Sequence, residues 1–283
     1  GSLLALLLSE QDRSVRGTVK PVQDAQPMRF RYRDAWFDSA GLRLNGSRRL
    51  VAILEDQHAS PIASDTVCRS LEARDLDCFV VFAGWGKASS DAIEAIGKHA
   101  KARLAAVISL QDFVIGGSSD RIPATSRIEQ LDVPMFKAVR LHDSTAQAWR
   151  LSEHGLEWDS IYYRISMPEM QGVGQPIVVA AAGQAQIDSL TGIAVTRVES
   201  IPMQVEQLTG RVARWARLQQ MRNADKHVAI VYYNHPPGRH NIGADNRSAA
   251  RWSIERCRHG GVGSGSPAVD DAATGDHRAR AGD

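Results

Sequence analysis

The sequence has few cysteines and no long apolar run. Three cysteines occur among 283 residues (Cys68, Cys78 and Cys257), with neither a Cys-x-x-Cys pair nor a Cys/His zinc spacing. This sparse, odd count argues against a disulfide-rich secreted scaffold and indicates free thiols in a reducing compartment. The apolar run over residues 3–8 is too short to span a bilayer and lacks the features of a signal peptide. We therefore expect a cytoplasmic protein without a membrane span.

A strong charge excess is also absent. The 34 Lys and Arg residues nearly balance the 32 Asp and Glu residues, for a formal net charge of +2, and no Lys/Arg block occurs. This balance predicts no nucleic-acid partner. The Gly-x-x-x-x-Gly-Lys-Ser/Thr loop of ATP-binding proteins is missing as well, so no nucleotide site of that class is expected in this chain.

The two ends of the chain differ from its middle. Residue 1 is not Met, and residues 1–47 are interpreted as an incomplete N-terminal helix followed by a polar connection. Residues 247–283 contain no Leu, Phe, Tyr, Met or Lys and show no hydrophobic period. Such a tail is predicted to be disordered. It is either a natural tail or sequence read in a shifted frame.

Residues 48–155 alternate between short apolar runs and amphipathic segments. The apolar runs are RLVAIL, DCFVVFAG, LAAVISL and VPMFKAVRL, and segments with helical spacing and Ser, Thr or Asp caps lie between them. This alternation predicts an α/β domain with a parallel, flavodoxin- or Rossmann-like sheet between two helical layers. A ligand is expected at the carboxyl ends of its strands, in the loops 55–64, 83–90 and 111–123.

The chain changes character after residue 155. Residues 156–202 are rich in β-branched residues with Gly and Pro breaks, which predicts a β-rich excursion of short strands. Residues 203–246 contain an amphipathic helix and then the apolar run VAIVYY. We interpret this run as the first strand of a truncated second α/β unit.

Two segments resemble one protein family. The string VAIVYYNHPPGRHNIGAD over residues 228–245 resembles a strand and Pro-Pro-Gly turn of the family that contains the cobaltochelatase large subunit (CobN) and the magnesium chelatase H-type subunit. Residues 131–181 resemble the same family through a Leu-x-x-Pro strand, a Ser/Thr-x-x-x-Trp helix and a Pro-Glu-x-x-Gly element. The resemblance extends over about residues 50–246. The first loop departs from it, because it keeps His58 but lacks the family's preceding Arg and following Gly-Asn.

The resemblance implies a fragment of the tetrapyrrole-binding subunit of an ATP-dependent metal chelatase. Its substrates would be a tetrapyrrole and a divalent metal, and ATP would be hydrolysed on separate AAA+ subunits. The Tyr-Asn pair before Pro-Pro-Gly is closer to the cobalt type, which implies insertion of Co²⁺ into a corrin precursor in cobalamin biosynthesis. The alternatives are a magnesium chelatase acting on protoporphyrin IX and a non-catalytic α/β tetrapyrrole-binding module. We expect the fragment alone to be inactive.

Two residues are catalytic candidates. Glu169, in the Pro-Glu-x-x-Gly element, is a candidate for a carboxylate that passes on the metal or accepts a proton. The alternative is a carboxylate that binds backbone N–H groups in a turn. His58 follows a predicted strand, and its imidazole is a candidate base or ligand, with an ordinary surface histidine as the alternative.

Four residues are candidates for contact with the tetrapyrrole: Trp85, Asn234, His235 and Asn241. An indole stacks well on a flat macrocycle, although packing at the rim of the core is the alternative for Trp85. The two asparagines also suit a structural role in shaping the turn. The sequence does not identify the metal ligands.

Overall fold

The computed structural model describes residues 28–189 and 192–227. The chain divides into two units, residues 1–225 and 226–283, and the fold below is that of the first. Its strands are β1 (Arg29–Tyr32), β2 (Ala35–Phe37), β3 (Leu50–Asp56), β4 (Asp77–Ala83), β5 (Leu104–Ser109), β6 (Met135–Thr145), β7 (Val173–Ala182), β8 (Gln186–Ile187), β9 (Ala194–Val195) and β10 (Val198–Ser200). Its α-helices are α1 (Ile62–Glu72), α2 (Lys87–Ala100), α3 (Arg121–Leu131), α4 (Ala146–Leu151), α5 (Trp158–Ile161), α6 (Met167–Met170) and α7 (Pro202–Gln220).

Eight strands form one mixed sheet in the order β10-β7-β6-β5-β3-β4-β1-β2. The five strands from β7 to β4 pair in parallel, and the edge strands β10, β1 and β2 pair antiparallel. If the five parallel strands are numbered 1 to 5 in chain order, their spatial order across the sheet is 2-1-3-4-5, which is the flavodoxin-like arrangement. The predicted α/β fold with a parallel sheet is confirmed.

The core lies on both faces of this sheet, because successive side chains of a buried strand point to opposite sides. Val51 and Ile53 of β3 pack on one face with apolar residues of α1 and α7. Ala52 and Leu54 pack on the other face with α2 and α3. The sheet therefore lies between two helical layers, as predicted.

The β-rich excursion predicted over residues 156–202 is present in the second half of this range, where β7, β8, β9 and β10 lie, and the structure corrects the first half. Residues 158–170 are helical: α5 runs through a π-helical turn (Tyr162–Ser166) into α6. Ile165 of this segment packs against the β6–β7 core, which explains why β-branched residues occur in a helix here. β7 is the fifth parallel strand of the main sheet, and only β8 and β9 form a separate hairpin.

The polar connection predicted over residues 1–47 also contains strands. β1 pairs with β4 and β2 pairs with β1, so residues 29–37 extend the sheet at one edge. Phe30 is fully buried there. An edge strand needs an apolar pattern on a few residues only, which is why this short segment gave a weak signal.

A disulfide corrects the expectation of free thiols. Cys68 on α1 is bonded to Cys78 on β4. The two cysteines are ten residues apart in sequence, and only the return of the chain from α1 into β4 brings them together.

Several expectations lie outside the described residues. These are the N-terminal helix, the strand predicted at 228–232, the tail from Arg247, and the candidates Asn234, His235 and Asn241. Across 28–189 and 192–227, no helix is both long and apolar enough to cross a membrane.

Candidate functional site

A crevice opens where the chain order of the sheet reverses. From β3 the chain moves to β4 on one side and then to β5 on the other, so the loops after β3 and β5 separate and leave space at the carboxyl ends of the strands. A cavity of about 340 Å³ lies there. It is lined by Asp56, His58, Ala59, Trp85, Leu110, Gln111, Asp112, Phe113, Arg140 and His142.

The structure brings together His58 and Trp85, two of the predicted site residues. His58 follows β3, is exposed, and its backbone N–H donates to Asp56 Oδ1 at 2.8 Å. Trp85 follows β4 and is 56% exposed. Gly86, with φ of 75°, ends this loop in a conformation that an L side chain rarely adopts. The positions of these residues fit the predicted roles, which remain predictions.

Glu169 lies elsewhere. It is exposed on the short helix α6 and does not line the cavity. Its backbone carbonyl accepts a hydrogen bond from the N–H of Gly172 at 2.9 Å, which closes the turn before β7. The Pro-Glu-x-x-Gly element therefore ends a helix and begins a strand.

A strip of aromatic rings borders the cavity. The ring centroids of Trp85 and Phe113 are 5.5 Å apart, and those of Phe113 and Tyr163 are 5.6 Å apart. Tyr162 continues the strip at 5.0 Å from Tyr163. All four rings are between 43% and 56% exposed. We call these four residues the aromatic rim. Exposed rings grouped in this way offer a surface on which a flat apolar ligand can stack.

Charged residues lie buried behind the cavity, and the sequence reasoning missed them. Glu55 on β3 is fully buried and forms an ion pair with Arg140 on β6. Burial raises the pKa of Glu55 to about 7, although Arg140 opposes the shift. Lys137 is also buried, and its Nζ donates to the backbone carbonyl of Gln111. Burial lowers the pKa of Lys137 to about 8. A signal was present, since these charged residues interrupt runs that otherwise read as buried strands.

Asp112 and His142 form a second polar pair at the cavity wall. The ring Nε2 of His142 lies 3.1 Å from Asp112 Oδ2, and Arg164 lies 3.6 Å from Asp112 Oδ1. Burial by itself would raise the pKa of Asp112, but the hydrogen bond with His142 and the charges of Lys137 and Arg164 together lower it. Asp112 is therefore an ionised carboxylate beside an imidazole.

No group of three or more His, Cys, Asp or Glu side chains that could hold a metal ion occurs within the described ranges. The imidazoles and carboxylates at the cavity occur in pairs, such as His142 with Asp112. Imidazole–carboxylate pairs of this kind suit proton transfer and hydrogen bonding.

Comparison with known proteins matches this chain to one family. The family model described as CobN/Magnesium Chelatase matches residues 20–247. The chloroplastic magnesium-chelatase subunit ChlH of Oryza sativa subsp. indica is 30% identical over 184 residues, which cover 62% of this chain and 12% of that protein. The magnesium-chelatase H-type subunit of Rhodobacter capsulatus is 28% identical over 200 residues, covering 65% of this chain and 16% of that protein.

A solved structure shares the fold. The catalytic subunit of cobaltochelatase from Mycobacterium tuberculosis superposes with a TM-score of 0.51 at 19% identity, over 67% of this chain and 16% of that one. This chain thus matches between 12% and 16% of the length of these three proteins. The family model covers most of the chain, including the sheet and its crevice, and the chain therefore belongs to the CobN/magnesium chelatase family.

Proposed function

We propose that this chain is a tetrapyrrole-binding part of an ATP-dependent metal chelatase that inserts Co²⁺ into a corrin precursor during cobalamin biosynthesis. The observation that carries the proposal is the crevice at the carboxyl ends of β3 and β5, where the aromatic rim borders a cavity of about 340 Å³. A tetrapyrrole has a largely apolar conjugated ring and carries carboxylate or amide side chains around its edge. Such a ligand suits a site with exposed rings on one side and polar groups on the other.

Metal insertion releases two pyrrole protons, so the site needs proton acceptors. His58 and His142 line the cavity, and a ring nitrogen of a neutral imidazole can accept a proton. The carboxylate of Asp112, 3.1 Å from His142, is placed to stabilise an imidazolium formed there. We assign proton acceptance to these two histidines. The role first considered for Glu169 finds no support in its exposed position on α6.

The partners follow from the family. We propose that ATP is hydrolysed on separate AAA+ subunits and that Co²⁺ is a substrate delivered to the bound macrocycle. Because the chain matches only 12–16% of the length of the three proteins compared above, we propose that it binds tetrapyrrole but does not complete metal insertion by itself. A cytoplasmic location is part of the proposal, whereas the rice relative is named chloroplastic.

Magnesium is the second candidate metal. The curated relatives from rice and Rhodobacter capsulatus are both named magnesium-chelatase subunits, which favours Mg²⁺ and protoporphyrin IX. The Tyr233-Asn234 pair before Pro236-Pro237-Gly238 favours cobalt. A non-catalytic tetrapyrrole-binding module is the third candidate. The tetrapyrrole that binds distinguishes the first two.

The test is a titration followed by tryptophan fluorescence. Hydrogenobyrinic acid a,c-diamide and protoporphyrin IX are each added to the purified chain and to the variants Trp85→Ala and Trp36→Ala. Trp36 is the matched control, because it is 46% exposed but does not line the cavity. We expect saturable quenching by the corrin precursor that is weakened in Trp85→Ala and unchanged in Trp36→Ala.

Each other outcome has a defined meaning. Selective binding of protoporphyrin IX would replace cobalt by magnesium in the proposal. Binding that is equally strong in both tryptophan variants would place the tetrapyrrole outside this crevice. The absence of binding by either compound to the unmodified chain would contradict the proposed function of this region.

A further inference from the structure

Arg140 is the cation that lines the cavity. It lies on β6, its side chain is only 7% exposed, and it forms part of the cavity wall. One of its five N–H donors, on Nη2, binds Glu55 Oε1. The buried Nε has no hydrogen-bond partner within the described residues. Arg140 is therefore held at the wall with hydrogen-bonding capacity that the protein does not use.

Cations and carboxylates meet at this part of the crevice, and the carboxylates already have partners or carry little charge. Asp56 lines the cavity, and its Oδ1 accepts a hydrogen bond from the N–H of His58. Lys137 is buried behind Arg140, and Arg164 donates to the backbone carbonyl of Arg140 at 3.2 Å. Of the carboxylates nearby, Asp112 is already hydrogen-bonded to His142. Glu55 has a pKa raised to about 7 by burial, so near neutral pH it carries only part of a charge to balance these cations.

These contacts favour an anion at the cavity wall. A guanidinium forms its strongest hydrogen bonds with carboxylates, often through two parallel contacts. Burial strengthens such a contact, because little water competes for the donors. The aromatic rim, in contrast, offers no charge and suits the face of a ring system.

We propose that Arg140 anchors a carboxylate at the edge of the bound macrocycle and that Glu55 positions the guanidinium for this contact. The proposal rests on the proposed tetrapyrrole-binding function and adds to it a residue that determines specificity. The rim then holds the ring face, while Arg140 distinguishes a free acid from a neutral analogue of the same shape.

The experiment compares charged and neutral forms of the same ligands. Hydrogenobyrinic acid a,c-diamide and protoporphyrin IX are titrated as free acids and as methyl esters, in one buffer that contains detergent. The proteins are the unmodified chain, Glu55→Gln, the double variant Glu55→Gln/Arg140→Met, Arg140→Lys and Arg74→Met. The double variant removes both charges together and so leaves no unpaired buried ion. Arg74→Met is the matched control, because Arg74 forms an ion pair with Glu206 away from the cavity.

We expect the unmodified chain and Arg74→Met to bind the free acid about ten- to a hundredfold more tightly than the ester, as for a hydrogen bond to a charged group. Glu55→Gln should narrow this ratio without abolishing it, because an uncharged amide oxygen holds the Arg140 guanidinium less firmly. The double variant should bind acid and ester equally, with its ester affinity unchanged. Arg140→Lys should keep part of the preference, since it keeps the charge but loses the planar fork. A general loss of structure would lower the affinity for both forms and leave their ratio intact, and circular dichroism checks the fold of each variant.

Two results overturn the anchor and leave the proposed function in place. One is equal binding of acid and ester by the unmodified chain, and the other is a double variant that keeps the full preference for the acid. Failure of the unmodified chain to bind either form of either ligand would instead contradict the proposed function itself.

Discussion

At the amino ends of β3 and β5, Arg49 and Arg103 donate hydrogen bonds to backbone carbonyls at distances between 2.6 and 3.2 Å. Towards the carboxyl ends of β3 and β5, Glu55 of β3 is buried together with Lys137 and Arg140 of the neighbouring β6. Glu55 and Arg140 pair with each other, but each keeps one buried side-chain atom without a hydrogen-bond partner. The arginines at the amino end thus link neighbouring strands and loops through hydrogen bonds. The charged groups at the carboxyl end lie at the wall of a cavity, which Arg140 lines, or are buried close to it.

The unpaired polar atoms follow the same division. Within the described residues, five buried side-chain N or O atoms have no hydrogen-bond partner. Four of them, Glu55 Oε2, Gln57 Oε1, Gln111 Oε1 and Arg140 Nε, are at the carboxyl end, and only Asp77 Oδ2 is at the amino end. Because an unpaired buried polar group is destabilising, such groups tend to concentrate where a protein binds or reacts. The amino end of the sheet is thus closed by hydrogen bonds, whereas the carboxyl end keeps unpaired polar groups beside the cavity to which we assign ligand binding.

The largest expected effect is on the free energy of unfolding, which should differ between single substitutions at the carboxyl end and at the amino end of the sheet. Arg140→Met leaves Glu55 buried without its partner and should lower the free energy of unfolding by about 3–5 kcal/mol. The measurement is urea denaturation well above pH 7, because the loss of Arg140 raises the pKa of Glu55 further. Adding Glu55→Gln should recover most of this loss of stability. Arg49→Met at the amino end should cost only about 1–2 kcal/mol, because Arg49 donates to backbone carbonyls and to the Gln219 amide rather than to a buried carboxylate.

A reversed order of these stability losses would contradict the difference that we infer between the two ends of the sheet. A larger loss for Arg49→Met than for Arg140→Met, or a double variant no more stable than Arg140→Met alone, would show that Glu55 does not depend on Arg140 as a buried charge depends on its partner.

The second effect concerns the disulfide, which belongs to the amino end because Cys78 is the second residue of β4. Its short loop should stabilise the folded chain by about 2–3 kcal/mol relative to the reduced form. Thermal unfolding with and without a dithiol reductant measures this difference. In Cys68→Ala/Cys78→Ala, the reductant should have no effect on the melting temperature. Alkylation of all three cysteines in protein kept under oxidising conditions would disprove the bond.

The smallest expected effect is a pH dependence that arises at the carboxyl end. Burial raises the pKa of Glu55 from 4.5 to about 7. The folded state therefore binds more protons than the unfolded state in this window, and the stability contributed by Glu55 is lost as pH rises through it. Burial lowers the pKa of Lys137 from 10.5 to about 8. Here the unfolded state binds more protons, so stability rises with pH between these two values.

Chemical unfolding across both windows measures these contributions, each about 1–3 kcal/mol. Glu55→Gln should remove only the fall in stability as the pH rises towards 7, and Lys137→Met should remove only the rise in stability above pH 8. Identical pH profiles for the unmodified chain and both variants would mean that these groups titrate in the fold as they do in water.

The sequence predicted the elements of the central sheet better than its edges. β3, β4 and β5 were recognised because a strand buried on both faces reads as a continuous apolar run. β1 and the helices α5 and α6 were missed because short elements take their conformation from neighbours distant in sequence. Ile165 illustrates the difficulty, since its packing against the β6–β7 core decides its helical setting.

The candidate site, too, could be predicted only in part from the sequence. Placing a loop after each apolar run was enough to locate His58 and Trp85 near the crevice, because carboxyl ends of parallel strands meet at one edge. The partner of Glu55 could not be predicted, since Arg140 lies 85 residues away. Glu169 was selected from a sequence element, and the fold shows that element ending a helix.

The sequence by itself determined the alternation of strands and helices, the α/β class and the family, because local apolar patterns and short motif strings carry that information. Only the tertiary structure decided the order of the strands, the bond between Cys68 and Cys78, and the buried pair of Glu55 and Arg140. Each of these depends on segments that meet across the sheet, and a contact between distant segments leaves no periodic pattern in the chain.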